Sequence, residues 1–417
     1  MQFSTPICLL LAYLSDDPHR IEQIQPAEIN AADWQALAAL SQEQGVTPLL
    51  YRRLKKMPQS GDIPDTFLQN LRKIYLSTLK RNLRMYKDVG QILRALVEQE
   101  IPIIPLKGVY LAEKVYGNIG LRSMVDVDLL LPRPDLARAM AVLESLGYRA
   151  LYSFDIELEC QSRHHLPLLY RQGSINLEIH WNLAPLNPPF HIPIEPLWGR
   201  SQPVMLEGVE VRTMDPEDLL LHLCLHAAYM DDFSNKLRSF CDITWTMRIF
   251  REKLDWEQLV LRAQEWGAAR SVWLALRIAH QLLGVSLPDL LIEKLQPTEY
   301  NPILENWAIE QIFAPSEIGP KLAAVWAPQP WSKRLAHIFH GLFPPTWEMR
   351  QKYPGLIGRS SWHLAYLKHL EIVFRRHRES IWQLALGDAR LRGAVEQRSK
   401  ENILKAWQAG EIDHIIP

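Results

Sequence analysis

The sequence contains little cysteine. Its 417 residues include four cysteines, which are far apart and form no Cys-x-x-Cys pair: Cys8, Cys160, Cys224 and Cys241. This spacing predicts neither a disulfide framework nor a zinc knuckle. Scattered thiols are typical of proteins that remain in a reducing compartment, so we expect a cytoplasmic location.

Long apolar runs and net charge are also missing. No stretch reaches the roughly 18 uninterrupted apolar residues that a membrane span requires. The apolar residues 7–14 follow an N-terminus without a positive region and make a poor signal peptide. A formal net charge of -1 excludes a global basic field for nucleic-acid binding, although a local basic patch stays open. We therefore expect no membrane partner.

The predicted elements divide the chain into three parts. Apolar residues recur at intervals of three and four between residues 64 and 100, which predicts a helical N-terminal region over residues 1–98. Helix signals dominate again from Asp215, an N-cap residue that precedes a proline. They predict a helical C-terminal region over residues 214–417.

The middle part, residues 99–213, contains the predicted strands. Strands are expected at 101–106 and 125–131, followed by a helix that begins at Pro134 and ends before Gly147. Residues 165–181 predict a hairpin that turns around Gly173, and a second small hairpin turns at Gly208. The whole chain therefore predicts an α+β fold, in which a mixed sheet is flanked by N- and C-terminal helical regions.

Two carboxylates interrupt the apolar strand at residues 125–131. Asp126 and Asp128 are separated by one residue, and side chains at i and i+2 of a strand point to the same face. Two like charges in an apolar environment are costly unless a positive group lies between them. An isolated Asp-x-Asp is more often a solvated turn, but the apolar strand around this pair favours a metal site.

Other residues of the middle part are candidates to complete the site. Glu178 is a carboxylate on the polar face of a later strand, and three oxygen ligands of this kind suit Mg²⁺ or Mn²⁺. Two such ions about 3.5–4 Å apart stabilise the attacking and leaving oxygens in nucleotidyl transfer. The residues before the carboxylates are candidates to bind the nucleotide phosphates, through their positive charges or through accessible backbone N–H groups: Lys107, Gly108, Arg122 and Ser123.

These candidates also have structural interpretations. Glu178 is equally a polar residue of a half-exposed strand, and Lys107 is equally a strand-end lysine whose stem packs on apolar surface. Arg122 is either a phosphate donor or a structural counter-charge of the carboxylates. His180 shares its strand face with Glu178 and is either an auxiliary metal ligand or a hydrogen-bonded structural histidine.

Two further pairs are spaced four residues apart in predicted helices. His222 and His226 superficially resemble a zinc pair, but no third ligand accompanies them. We interpret them as helix packing or as a cap over the cleft. Arg238 and Asp242 are most simply a helix ion pair.

The motifs together resemble a known family. Lys-Gly at 107–108, Arg-x-Met-x-Asp-x-Asp-Leu-Leu at 122–130 and Glu-Ile-His-Trp at 178–181 are similar to an uncharacterised nucleotidyltransferase family of the DNA polymerase β-like superfamily. The similarity is most specific between residues 106 and 181 and extends more loosely to both flanks. It implies a polymerase β-like core.

The resemblance also implies roles for the three carboxylates. Asp126 and Asp128 would bind metal, and Glu178 would stand in for the third acidic residue, which polarises the acceptor hydroxyl. The sequence departs from the superfamily pattern at Lys107-Gly108, where a Gly-Ser or Gly-Gly pair is usual, and in its longer gap to Asp126. This departure keeps a non-catalytic binding protein open as an alternative.

We therefore predict a cytoplasmic nucleotidyltransferase that depends on Mg²⁺ or Mn²⁺. It moves a nucleoside monophosphate from an NTP donor to a hydroxyl or phosphate acceptor and releases pyrophosphate. The sequence does not distinguish among a small molecule, a protein and RNA as the acceptor, and it does not indicate the oligomeric state. The alternatives are a non-catalytic nucleotide- or partner-binding protein and a metal-dependent glycosyltransferase whose Asp-x-Asp binds a sugar nucleotide.

Overall fold

The computed structural model describes most of the chain up to residue 314 and shorter stretches beyond it. The described residues are 3–57, 63–234, 236–298, 300–314, 339, 342–344, 349, 363, 365–372 and 389–412. The chain forms two compact units, which comprise residues 1–150, 154–313 and 407–417 in the first and residues 151–153 and 314–406 in the second. All the candidate site residues lie in the first unit.

The N-terminal region is helical, as its apolar spacing predicts. The last helix, α5, begins directly after Pro64 and packs an apolar stripe that includes Leu71, Val89 and Leu93 into the core. The helices are α1 (Thr5–Leu14), α2 (Pro18–Glu22), α3 (Ala31–Glu43), α4 (Thr47–Lys55) and α5 (Asp65–Val97).

A mixed five-stranded sheet follows, which confirms the predicted fold class. Its strands are β1 (Ile104–Leu106), β2 (Asp126–Leu130), β3 (Arg149–Ala150), β4 (Leu169–Tyr170) and β5 (Asn176–His180). The strand order is β1-β2-β5-β4-β3, in which β2 and β5 are parallel and the other neighbours are antiparallel.

The strands are shorter than predicted. The expected strand at 101–106 begins at Ile104, after Pro102, because proline has no N–H to donate to a ladder. Pro105 is tolerated within β1 because this strand lies at the edge of the sheet. The hairpin around Gly173 is confirmed, with Leu169 opposite Leu177, but its first strand consists of two residues.

Short helices and a second sheet surround these strands. Gly147 ends α7 with a positive φ of 88°, as expected of the residue after a helix C-terminus. The small hairpin at Glu207-Gly208 is confirmed as a two-stranded sheet. The elements are α6 (Lys107–Tyr110), α7 (Leu136–Ser145), α8 (Ile156–Ser162), α9 (Ile194–Arg200), β6 (Gln202–Leu206) and β7 (Val209–Thr213).

Helices dominate again after Thr213. Asp215 caps the first of them, since its carboxylate accepts a hydrogen bond from the Asp218 N–H at 2.8 Å. The described helices are α10 (Pro216–Leu225), α11 (Lys236–Ile249), α12 (Trp256–Glu265), α13 (Ala269–Leu283), α14 (Asp289–Leu295), α15 (Ile303–Phe313) and α16 (Ala389–Gln408). None of the helices within the described ranges combines the length and apolarity that crossing a bilayer requires. The division at 98/99 and 213/214 stays a prediction.

Candidate functional site

Strand pairing brings the candidate carboxylates onto one face of the sheet. In the parallel register of β2 and β5, Asp128 lies opposite Glu178 and Asp126 lies opposite Asn176. Because side chains alternate along a strand, Asp126, Asp128 and Glu178 share the same face. Asp126 and Glu178 are half-buried, while Asp128 is 8% exposed. The local i, i+2 spacing and the long-range register therefore combine to gather three negative charges.

His180 joins two of these carboxylates. Its Nε2 lies 3.1 Å from Asp128 Oδ1 and 3.6 Å from Glu178 Oε2. One ligand atom from each of the three residues lies within 4.8 Å of the others, a spacing that one metal ion can bridge. Asp126 lies outside this cluster of three. The cluster combines carboxylate oxygens with one imidazole nitrogen, and a divalent cation could be held by such donors.

Lys107 faces the same carboxylates from the neighbouring strand. Leu106, the last residue of β1, lies opposite Asp128, and Lys107 turns the chain sharply into α6 with a φ of 44°. A non-glycine residue in this left-handed region is strained, and such strain is found preferentially at functional sites. The turn places Lys107 Nζ 3.8 Å from Asp128 Oδ2.

The charges of the cluster shift one another's pKa values in opposite directions. Burial alone would raise the pKa of Asp128, but Lys107 and His180 hold it well below its usual range. A hydrogen bond with His180 likewise lowers the pKa of Glu178. By contrast, burial raises the pKa of Asp126, and the nearby charges of Asp128 and Glu178 raise it further. The ionised form of Asp126 is therefore destabilised, and an additional cation nearby would stabilise it.

Arg122 forms a buried ion pair with Asp242. Its guanidinium donates to both carboxylate oxygens of Asp242 in α11, with distances of 3.0 Å from Nε to Oδ1 and 2.8 Å from Nη2 to Oδ2. The Tyr116 hydroxyl donates to the same Oδ1 at 2.8 Å. The two ends of the segment 116–122 are thereby attached to one carboxylate. Sequence spacing gives no signal for this contact, because Arg122 and Asp242 lie 120 positions apart.

The predicted ion pair between Arg238 and Asp242 is wrong. Helix α11 directs Asp242 to Arg122, whereas Arg238 Nη1 donates to the Ser123 carbonyl at 3.3 Å and to its hydroxyl at 3.4 Å. Ser123 and Arg122 are thus both fixed from the C-terminal region. Gly108 lies close against the Arg122 side chain, because a Cβ added at Gly108 would lie 2.7 Å from Arg122 Nη1.

An open cleft of about 400 Å³ lies in front of these residues. Its volume falls in the range of small-molecule sites. Lys107, Gly108 and the segment 122–126 line the cleft together with Asp128 and Glu178. Residues of α11 and the segment before it form another wall: His226, Asp231, Arg238, Ser239 and Asp242.

His222 in α10 and His226, directly after this helix, do not form a metal site of their own in the described part of the chain. His222 is buried at 2% exposure, and His226 Nδ1 lies 2.7 Å from Asp231 Oδ2 at the cleft wall. In the part of the chain that the structure describes, the cluster of three potential metal ligands contains neither histidine. The interpretation of this pair as packing and as part of the cleft wall agrees with these contacts.

Comparisons with solved structures give two remote matches. The solution structure of the antibiotic-resistance factor ANT(2'')-Ia is 18% identical, with a TM-score of 0.33, and the match covers 48% of this chain and 98% of that chain. A crystal structure of ANT(2'')-Ia with adenylyl-2''-tobramycin is 19% identical, with a TM-score of 0.31, and the match covers 43% of this chain and 95% of that chain. A comparison with curated proteins finds no significant match.

A family model gives the decisive match. It is described as an uncharacterised nucleotidyltransferase, and it matches residues 30–284, well over half of the chain. This range includes every residue of the carboxylate cleft, from Lys107 to Asp242. The chain therefore belongs to the uncharacterised nucleotidyltransferase family, as its motifs predict.

Proposed function

We propose that this nucleotidyltransferase uses a divalent metal to move a nucleoside monophosphate from NTP to a hydroxyl or phosphate acceptor. The observation that carries the proposal is the convergence of Asp126, Asp128 and Glu178 on one sheet face at an open cleft, beside Lys107. Oxygen donors in this arrangement are what Mg²⁺ and Mn²⁺ require. A cytoplasmic location is part of the proposal and is supported by four free cysteines.

The three carboxylates and His180 are the groups that we propose to hold the metal. Their chemistry fits a divalent cation, because Asp128, Glu178 and His180 each offer a ligand atom within 4.8 Å of the others, and Asp126 adds a further carboxylate on the same face of the sheet. A cation bound there would stabilise the negative charge that develops on the transferred phosphate. The nitrogen donor makes Mn²⁺ a natural alternative to Mg²⁺.

The residues of the cleft then have separate roles in the transfer. We assign Glu178 to the acceptor, because its half-buried carboxylate lines the cleft and can accept the proton of an attacking hydroxyl. The acceptor oxygen forms a bond to the α-phosphorus, the bond from that phosphorus to the bridging oxygen breaks, and pyrophosphate leaves. Lys107 and Ser123 are assigned to the phosphates. Arg122 is assigned to positioning, because Asp242 occupies its guanidinium.

The test is transfer of label from each α-³²P-labelled NTP, with Mg²⁺ or Mn²⁺, to acceptors in a fractionated cell extract. We expect Glu178→Gln to reduce the rate by about 10²–10⁴-fold, the usual contribution of a general base. Glu210→Gln, which removes an exposed carboxylate from β7, is the matched control and should leave the rate unchanged.

Three results would contradict the proposal. Full activity of Glu178→Gln would remove the proposed base. NTP binding without label transfer to any acceptor fraction would favour the non-catalytic alternative. Transfer from a labelled sugar nucleotide, with none from NTP, would favour the glycosyltransferase alternative.

A further inference from the structure

Helices α4 and α5 carry a strong local excess of positive charge. Residues 47–57 contain four Lys or Arg and residues 66–87 contain six, ten in total, without a single Asp or Glu. The whole chain, by comparison, has 46 basic and 47 acidic residues. All six basic side chains of the α5 segment are exposed. The chain therefore has a locally basic surface although its net charge is close to zero.

A pocket of about 590 Å³ opens between the two helices on this surface. Its charged lining residues are Arg52 and Lys55 of α4, Lys56 directly after this helix and Arg72 of α5, and no carboxylate lies among the described lining residues. The lysines and Arg72 are exposed, and Arg52 is half-buried. The charge of the pocket thus suits a ligand that carries several negative charges.

Aromatic rings lie among these cations. Tyr51 and Tyr75, both half-buried, pack with ring centroids 5.5 Å apart at the pocket wall. Tyr116, which is 3% exposed, stacks behind them on Trp245 at 4.9 Å, and the Arg52 guanidinium lies 5.0 Å from the centre of the Trp245 ring. Cations interleaved with aromatic rings are the combination with which proteins bind single-stranded nucleic acids.

The basic pocket and the carboxylate cleft share one loop as a wall. Residues 116–118 and Leu121 line the pocket, and residues 122–126 line the cleft. The hydrogen bonds from Tyr116 and Arg122 to Asp242 hold this loop between them. The basic pocket and the cleft are therefore separated by one continuous loop, residues 116–126.

The extent of the basic surface distinguishes a polymer from a single nucleotide. The basic side chains of α5 run from Arg72 to Lys87, which is about 22 Å along a helix axis. We propose that the basic pocket and this face of α5 bind a single-stranded nucleic acid, whose end is the acceptor in the cleft. The assignment of the nucleic-acid end as the acceptor rests on the nucleotidyl transfer proposed above. The binding of nucleic acid to the basic surface does not depend on that transfer.

Binding is measured without NTP or metal, by fluorescence anisotropy of 5′-labelled oligoribonucleotides and oligodeoxyribonucleotides. The test variant removes the exposed cations of the pocket: Lys55→Gln/Lys56→Gln/Arg72→Gln. The matched control removes three exposed cations elsewhere: Arg251→Gln/Lys253→Gln/Lys294→Gln. We expect the test variant to bind roughly tenfold or more weakly and its slope of log K against log salt to flatten by about 2. The control variant should bind like the wild type.

The result separates the two proposals. Absence of binding by the wild-type protein, or equal losses in the test and control variants, overturns the nucleic-acid inference even if NTP is transferred to a small molecule. Tight binding without any label transfer leaves the binding part of the inference in place, and it contradicts both the assignment of the acceptor and the transferase mechanism. Tighter binding of one sugar type identifies RNA or DNA as the ligand and supports the inference in either case.

Discussion

The buried ion pair between Arg122 and Asp242 gives the sharpest stability prediction. Their side chains are 8% and 4% exposed, and their contacts are bidentate. Removing one partner leaves the other charge buried and unpaired, which costs about 3–5 kcal/mol. Because whole domains are stable by about 5–15 kcal/mol, Asp242→Leu should lose a large fraction of the stability.

Replacing both partners should be much less harmful. The variant Arg122→Met/Asp242→Leu contains no unpaired charge at this position, and replacement of a buried pair by apolar residues is often neutral. The remaining loss of stability comes from the Tyr116 hydroxyl, which no longer has Asp242 Oδ1 as its acceptor at 2.8 Å. Leaving this hydroxyl without a partner costs about 1–3 kcal/mol. We therefore expect the double variant to be more stable than either single variant.

Urea unfolding of the wild type, both single variants and the double variant completes a double-mutant cycle. Tryptophan fluorescence is a suitable signal, because Trp245 stacks on Tyr116 beside the pair. A decrease of less than about 1 kcal/mol in the free energy of unfolding of each single variant would contradict a tightly coupled buried ion pair. Decreases of the two single variants that simply add in the double variant would contradict it as well.

Three other substitutions give separate tests. Gly108→Ala should destabilise the protein by about 1–3 kcal/mol, because its Cβ meets the fixed Arg122 guanidinium; an unchanged urea midpoint would contradict this packing. Gly284→Ala should also lower the midpoint, since this residue has a φ of 69° and its Cβ would lie 2.7 Å from Ser15 Oγ; a stabilised variant would be unexpected. Burial lowers the pKa of His164 to about 3, so the contribution of this residue to the free energy of unfolding is fully present above about pH 6.5 and decreases by about 1.4 kcal/mol per pH unit from there down to about pH 3. Urea titrations at pH 7 and pH 5 should show a smaller decrease for His164→Gln, and an identical decrease would exclude His164 as the cause.

The local parts of the fold and site could be predicted from the sequence. Alternation of apolar and polar residues identifies the strand of Asp126 and Asp128 and places Glu178 and His180 on one face. Glycine turns identify both hairpins, such as the one at Gly208. These features depend on neighbours within a few residues, so periodicity is sufficient to find them.

The long-range parts could not be predicted in this way. Nothing in the spacing indicates that β2 pairs with β5, or that Arg122 and Asp242 form an ion pair at the wall of the cleft. The basic surface, in contrast, is visible in the sequence as two segments without acidic residues. It is hidden when charge is summed over the chain, and its aromatic pocket depends on the packing of Tyr51 against Tyr75.

Transfer of label by the double variant Asp126→Ala/Asp128→Ala tests the central claim most directly. The variant and the wild type are incubated with α-labelled NTP, divalent metal and the acceptor fraction, and their urea midpoints are compared as a control for folding. We expect the variant to lose label transfer and to keep a cooperative unfolding transition. Full NTP-dependent transfer by this variant would contradict the assignment of the two carboxylates as the metal-binding centre of the enzyme.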